Sequence, residues 1–149
     1  YRFYTYYDFY TLFNNLHIYY FDIYKSHTIG EILRQSNDPL QELIYMFDNI
    51  KGFPKDKKSA CKRLNMLLRW MSRKNSPVDL GLWDIKPSKL IIPVDTHVHR
   101  MALELGLTKR RQADMKTALE ITDAMREIWM DDPVKGDFAL FGFGINHKR

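Results

Sequence analysis

The residues with the clearest chemical potential are an aspartate at a helix start and a group of lysines upstream of it. Asp95 follows the apolar run Leu90–Val94, and apolar residues recur after it at helical spacing. This position is typical of an N-cap, where a carboxylate accepts hydrogen bonds from the amides of the first turn. The Asp95 carboxylate also faces any side chain or ligand that lies opposite the start of this helix. Two interpretations of Asp95 therefore remain: a structural capping residue and a functional acid.

The lysines belong to a helix that the pattern predicts from about Lys57 to Lys74. At 100° per residue, one side of this helix is apolar and the other carries a polar stripe of Lys58, Lys62, Asn65, Arg69 and Arg73. Four cations on one stripe repel each other and need compensation. A solvated surface, a phosphate backbone and an acidic protein partner would each provide it.

Composition excludes several cofactors and limits the partners only weakly. The chain has 149 residues, 45% of them hydrophobic and 28% charged, which predicts one globular domain over residues 1–149. A net charge of +5 is compatible with a polyanionic partner without establishing one. The single cysteine, Cys61, rules out an internal disulfide, a four-cysteine zinc site and an iron–sulfur cluster on the chain's own cysteines, and it fits a cytoplasmic location. No apolar run approaches the roughly 20 residues that cross a bilayer. We therefore expect neither a membrane partner nor a cofactor.

The N-terminal half is expected to form capped helices. Asp8 is the predicted N-cap of a first helix whose apolar stripe packs inward, with Phe9, Leu12, Phe13, Leu16, Tyr20 and Ile23 on that stripe. Thr28 with Glu31 forms a predicted capping box. Asp38 followed by Pro39 starts another helix, which is expected to end at Lys51-Gly52.

The C-terminal half repeats these signals. An apolar plug is expected at 80–83 and a buried extended segment at 90–94, with no partner strand for a sheet. Asp114 and the pair Asp132-Pro133 are the predicted starts of two further helices. Gly142 and Gly144 weaken the last helix, so both indicate close contact with a neighbouring helix. The predicted fold class is all-α.

Two histidines near Asp95 raise the question of a metal. His97 and His99 are two residues apart at a helix start, so they point about 200° away from each other. No cysteine accompanies them, and this is poor geometry for one ion. No metal is predicted, and His97 is expected to bond the backbone or to reach toward Asp95.

The segments around these residues resemble a known superfamily. "PVDTHVHR" is similar to the "VDTH" segment of helix-hairpin-helix DNA glycosylases of the endonuclease III type. The longer set of "KKSACKRLNMLLRWM", "SKLIIPVDTHVHR", "LGLTKR" and "DPVKGDFALFGFGI" resembles a family of uncharacterised bacterial proteins placed as distant members of that superfamily. This resemblance implies a helix-hairpin-helix glycosylase-like domain. It also implies that further helices precede the point where this chain starts, so that the chain is a fragment of a longer protein.

The resemblance implies an N-glycosylase or abasic-site lyase acting on damaged DNA. Asp95 matches the aspartate that stabilises the sugar cation, and Lys58 matches the lysine that attacks the sugar to form a Schiff base. Lys58 and Asp95 are 95 − 58 = 37 positions apart, a longer spacing than in endonuclease III because of an insertion at 75–88. Lys57 and Lys62 remain alternatives for the nucleophile.

DNA is the expected partner, and an association with the nucleoid follows from it. The expected nucleic-acid contacts are Lys55, Lys57, Lys62, Arg69, Arg73, His97 and Arg100. The hairpin turn at 52–56 has one glycine where helix-hairpin-helix proteins carry Gly-x-Gly, so phosphate binding there has to depend on lysines and the helix N-terminus.

Two other functions fit the same residues. One is a non-catalytic DNA- or RNA-binding helical module that keeps the basic face. The other is an all-α interaction domain whose Lys62, Arg69 and Arg73 face meets an acidic protein.

Overall fold

The fold of the chain is all-α, as the sequence predicts. The computed structural model describes residues 3–23, 25, 28–74 and 76–146. In these ranges the seven α-helices are α1 (Tyr6–His17), α2 (Ile29–Gln35), α3 (Pro39–Met46), α4 (Lys62–Ser72), α5 (Thr96–Glu104), α6 (Met115–Ile128) and α7 (Asp137–Asn146). A π-helical segment, Ile18–Ile23, continues α1, and the short turn predicted before the extended segment is a 3-10 helix, Pro87–Lys89. The described ranges contain no β-strand, and one isolated bridge joins Ser59 to Asp114.

Three of the predicted helix starts are confirmed by their capping bonds. Thr28 and Glu31 form the expected capping box on α2, with each side chain accepting from the other residue's amide. Asp38 accepts from the Gln41 amide at 3.1 Å on α3, and Asp114 caps α6 in the same way. Each cap satisfies an amide that the helix itself leaves without a partner.

The prediction for α1 is wrong in two respects. Thr5 is the N-cap, and Asp8 is the third helical residue, whose carboxylate accepts from the Thr5 amide at 2.6 Å. None of the twelve residues of α1, all of them described, is buried, and Phe13 is 66% exposed. The apolar spacing indicates an amphipathic helix correctly, but spacing cannot tell whether another element covers that helix.

Two further boundaries differ from the prediction because residues with left-handed backbone angles interrupt the helical pattern. α3 ends at Met46, and Asn49 with φ 59° lies in the turns that follow it. α4 begins at Lys62, 62 − 57 = 5 residues later than expected, after Cys61 adopts φ 47°. Lys57 and Lys58 therefore lie in a loop and not on the helix.

α7 also begins later than predicted, at Asp137 and not at Asp132. Asp132 accepts hydrogen bonds from the Arg73 side chain at 2.8 and 2.9 Å, so its carboxylate is engaged away from a helix cap. The residues between Asp132 and Asp137 form turns.

The extended segment before α5 crosses the core. Leu90, Ile92 and Val94 are buried, as predicted. The Ile92 amide donates to the Thr122 hydroxyl at 3.0 Å, so a side chain of α6 takes the place of a partner strand. The predicted plug at 80–83 is wrong for its leucines, because Leu82 is 70% exposed.

The two glycines of α7 have different surroundings. A Cβ on Gly144 would lie 3.1 Å from the His97 carbonyl oxygen and 3.1 Å from Met101 of α5, so the predicted close helix contact is confirmed there. A Cβ on Gly142 would meet nothing within 4 Å, and the prediction is wrong at that position. The α5–α7 contact holds both helices beside the segment that ends in Asp95.

We find no described helix that combines the length and apolar character needed to span a membrane.

Candidate functional site

Asp95 is the N-cap of α5, as predicted. One of its oxygens, Oδ1, accepts from the amides of His97 and Val98, both at 2.9 Å. The residue has extended backbone angles and follows the buried run that ends at Val94. The cap uses one carboxylate oxygen and leaves the other available for a second contact.

That second contact is with Lys62. Its Nζ lies 3.2 Å from Oδ2 of Asp95. The Lys62 side chain is 43% exposed and that of Asp95 is 14% exposed, so the pair lies at the edge of the interior and the amine can reach solvent. Lys62 is the first residue of α4 and follows Cys61, whose backbone is left-handed.

The Asp95 carboxyl group is held in its charged form. Burial raises its pKa, but hydrogen bonds from Val98, Lys62 and His97, together with the Lys62 charge, outweigh burial, so the pKa lies below its usual value. Asp95 is therefore a stable carboxylate at neutral pH.

This ion pair borders a cavity of about 90 Å³, which we call the Asp95 cavity. It lies between α4, α5 and α7 and is lined by Lys62, Met66, Arg69, Pro93, Asp95, Val98, Asp137, Phe138 and Phe141. Apolar walls with a few converging charges are typical of a site that binds and orients a small group.

Asp137 is a second acid of this cavity, and the sequence reasoning missed it. It is 5% exposed and accepts a hydrogen bond from Nη1 of Arg69. Burial is the main cause that raises its pKa, to about 6, and the nearby Asp95 charge adds to it, while Arg69 and Lys62 oppose it. The position of Asp137 directly after a glycine and before an apolar run is a weak signal for an acid in a first helical turn.

The expectation that Arg69 and Arg73 face a nucleic acid is corrected. Arg69 is 1% exposed and Arg73 is 9% exposed. Both guanidinium groups bind Asp79, Arg69 from 3.2 Å and Arg73 from 2.7 Å. Aspartates of this chain thus compensate the charge of the predicted stripe, because buried cations need hydrogen-bonded partners.

The other lysines of the predicted set lie away from the Asp95 pair. Lys58 is paired with Asp56 at 3.3 Å and its side chain is 92% exposed. Lys57 is paired with Asp38, and Lys55 is exposed. Lys62 is thus the lysine of the predicted set whose amine the structure pairs with Asp95.

His97 and Arg100 both point toward α7. His97 Nδ1 lies 3.4 Å from the carbonyl oxygen of Gly144, which confirms the expected backbone contact, and the ring packs edge-on against Phe141. Arg100 donates to the same carbonyl. These contacts place both side chains against the last helix. Within the ranges that the structure describes, no three His, Cys, Asp or Glu side chains are grouped so as to hold a metal ion.

The helical fold and the lysine–carboxylate cavity define an all-α protein with a candidate active site between three helices. Residues 1–146 match a family described as "Protein of unknown function (DUF2400)". Because the match covers nearly the whole chain, the protein belongs to this family. The comparison with curated proteins gave no match, and the comparison with solved structures gave none.

Proposed function

We propose that this protein is a DNA-repair-like N-glycosylase or abasic-site lyase of the helix-hairpin-helix superfamily. The observation that carries the proposal is the Lys62 amine 3.2 Å from Oδ2 of Asp95 at the edge of a cavity. The lyase reaction needs an amine and a carboxylate within reach of one sugar carbon. The similarity of "PVDTHVHR" to the glycosylase segment supports the same activity.

Asp95 supplies the electrostatic part of the reaction. Breaking an N-glycosidic bond leaves positive charge on the sugar, which a nearby carboxylate stabilises. Asp95 suits this task because hydrogen bonds from the backbone amides of α5 fix the carboxylate before a substrate binds. The lowered pKa supports a charged group at neutral pH.

Lys62 is the nucleophile that the geometry favours. The resemblance assigns this role to Lys58, but Lys58 lies in a loop and is paired with Asp56. Lys62 has to lose a proton before its amine can attack, and its exposure lets that proton leave to solvent.

Exposed cations on two neighbouring loops and in the first turn of α4 would contact the DNA backbone. The bridge between Ser59 and Asp114 joins the loop of Lys55 and Lys58 to the loop of Lys109 and Arg111. A groove of about 530 Å³ lies beside the bridge, and Arg63 and Lys62 line it. We call the exposed cations Lys55, Lys58, Arg63, Lys109 and Arg111 the basic surface. Such a surface binds phosphates without reading sequence, and it supports an association with the nucleoid.

The test is borohydride trapping of the full-length protein on abasic-site duplex DNA. We expect a covalent adduct from wild type and from Lys58→Ala, and none from Lys62→Ala. Lys74→Ala is the matched control, because Lys74 is an exposed lysine paired with Asp84 outside the cavity. No adduct from wild type would contradict the proposal, and an adduct lost in Lys58→Ala alone would return the nucleophile to Lys58.

A non-catalytic nucleic-acid-binding module is the second candidate, and the exposed cations of the basic surface favour it. It predicts salt-dependent binding to DNA or RNA together with no trapped adduct. The third candidate, docking of an acidic protein on Lys62, Arg69 and Arg73, loses support because aspartates of this chain already bind both arginines.

A further inference from the structure

Asp137 lies in the Asp95 cavity but takes no part in the lysine–carboxylate pair. It is the first residue of α7, it is 5% exposed, and it lines the same cavity as Lys62 and Asp95. Arg69 binds its carboxyl group from α4, which fixes its position. A buried acid facing a reactive amine requires an explanation.

The charges around Asp137 provide one. The buried cluster contains two guanidinium groups, Arg69 and Arg73, and three carboxyl groups, Asp79, Asp132 and Asp137. With all five groups charged the cluster carries one excess negative charge, which is costly to bury. One proton on one of the three acids makes the cluster neutral.

Asp137 is the acid best placed to hold that proton. Asp79 accepts bonds from both arginines, and Asp132 accepts two from Arg73 while its side chain is 25% exposed. Each of these two carboxyl groups thus accepts at least two guanidinium hydrogen bonds, whereas Asp137 accepts one from Arg69. Asp137 is more deeply buried than Asp132 and has the negative Asp95 nearby.

We propose that Asp137 is the proton donor of the Asp95 cavity and delivers its proton to the group that leaves C1′ of the sugar. This inference rests on the proposed lyase function and adds a third residue to it. It assigns different roles to the two carboxyl groups of one cavity, because Asp95 stays charged while Asp137 holds its proton below about pH 6.

The proton balance on abasic DNA is complete with these residues. The neutral Lys62 amine adds to the C1′ aldehyde and forms a carbinolamine, as one amine proton moves to the oxygen. The C1′–O bond then breaks, its electron pair leaves with the hydroxyl group, and the Asp137 proton converts that group to water. The nitrogen lone pair forms the C1′=N bond. Asp137 is left as a carboxylate, which Arg69 stabilises.

The pH dependence of this step follows from the groups that face Asp137. These are Arg69 and Lys62 from α4 and Asp95 at the start of α5, and Asp79 lies one contact further away through Arg69. Burial first, then the Asp95 charge, raise the pKa of Asp137 to about 6, close to the range where a general acid works best.

The experiment combines a spectroscopic and a kinetic measurement on the full-length protein. The infrared difference spectrum of wild type minus Asp137→Asn should show a protonated carboxyl band at pH 5 that is gone at pH 7.5. On abasic-site DNA, the trapping rate of wild type should fall as pH rises through about 6. Asp137→Asn should form the adduct about 10²- to 10⁴-fold more slowly, and its rate should no longer fall as pH rises through this range. Asp137→Glu, which keeps a titratable carboxyl group, should restore part of the rate.

The outcomes separate this inference from the proposed function. A wild-type adduct with an unchanged rate in Asp137→Asn would overturn the role of Asp137 and leave Lys62 and Asp95 as proposed. The absence of the carboxyl band at pH 5 would overturn it without reference to activity. No adduct from wild type would overturn the lyase itself.

Discussion

At the scale of single residues, Asp95 combines a structural and a chemical role on separate oxygens. Oδ1 caps α5 through two amides, and Oδ2 binds the Lys62 amine. The sequence predicts the first role because a cap depends on a few neighbouring residues. It does not predict the second, because Lys62 and Asp95 are 95 − 62 = 33 positions apart and meet only through the packing of the folded chain.

The two roles of Asp95 can be separated by two substitutions. Asp95→Asn keeps an oxygen that can cap α5 but removes the charge, so stability should fall by less than about 1 kcal/mol. Adduct formation should fall by about 100-fold or more, because the sugar cation loses its carboxylate. Asp95→Ala removes the cap as well and should cost about 1 kcal/mol more. Urea unfolding and trapping rates measure both effects, and equal stability of the two variants would contradict the capping role.

At the scale of elements, the contact between α5 and α7 builds one wall of the Asp95 cavity. Gly144 permits that contact because a side chain there would meet the His97 carbonyl, which cannot move aside as a flexible side chain would. The sequence indicates close packing by both glycines of α7, and only the folded arrangement shows which glycine faces α5.

A pair of alanine substitutions tests this packing. Gly144→Ala should destabilise the protein by about 1–3 kcal/mol, since the new methyl group forces α5 and α7 apart. Gly142→Ala is the matched control, and it should raise stability by up to about 1 kcal/mol, because alanine is the better helix former and the site is open. Thermal or urea unfolding measures both. A destabilised Gly142→Ala beside an unaffected Gly144→Ala would contradict the packing of α7.

The buried cluster between α4 and α7 gives stability a pH dependence. The folded-state pKa of Asp137, about 6, lies above the usual value of 3.8, so the folded protein holds this proton longer than the unfolded chain. The contribution of Asp137 is therefore complete below pH 3.8 and is lost as pH rises toward 6.

The stability of wild type relative to Asp137→Asn should accordingly decrease between about pH 4 and pH 6 and stay level above pH 6. Urea unfolding of both proteins across this range measures the difference. The comparison cancels the opposite trend of Asp95, whose lowered pKa contributes stability that is lost as pH falls. A difference that grows with pH would contradict a neutral Asp137. The sequence alone could not reveal this acid, because its burial depends on Arg69, which is 68 positions away in the chain.

At the scale of the whole molecule, charge is divided between the interior and the surface. The arginines of the predicted stripe are buried, whereas the cations of the basic surface are exposed and lie on the two loops that the Ser59–Asp114 bridge joins and at the start of α4. The all-α class follows from local periodicity and is confirmed. The sequence predicts Lys55 as a nucleic-acid contact, but it does not predict the grouping of Lys55 with Lys109, because that depends on the contact between Ser59 and Asp114, which are 114 − 59 = 55 positions apart. The organisation of residues 1–149 as one domain remains a prediction.

Salt dependence tests the basic surface directly. The logarithm of the DNA-binding constant should fall linearly with the logarithm of salt concentration, with a slope of about −0.9 for each phosphate neutralised. Lys55→Ala and Lys109→Ala should each reduce the slope by up to about that amount, whereas the control Lys74→Ala should leave it unchanged. Fluorescence anisotropy over a salt series measures it. A flat salt dependence in wild type would remove both nucleic-acid functions.

The central claim is that the Lys62 amine, held against Asp95, attacks the sugar of damaged DNA. The most direct measurement is the mass of the peptide that carries the sugar after borohydride reduction of the complex with abasic-site DNA and proteolysis. We expect the added mass on Lys62 and its absence in Lys62→Ala. Added mass on another lysine, or no covalent adduct with wild type, would contradict this claim.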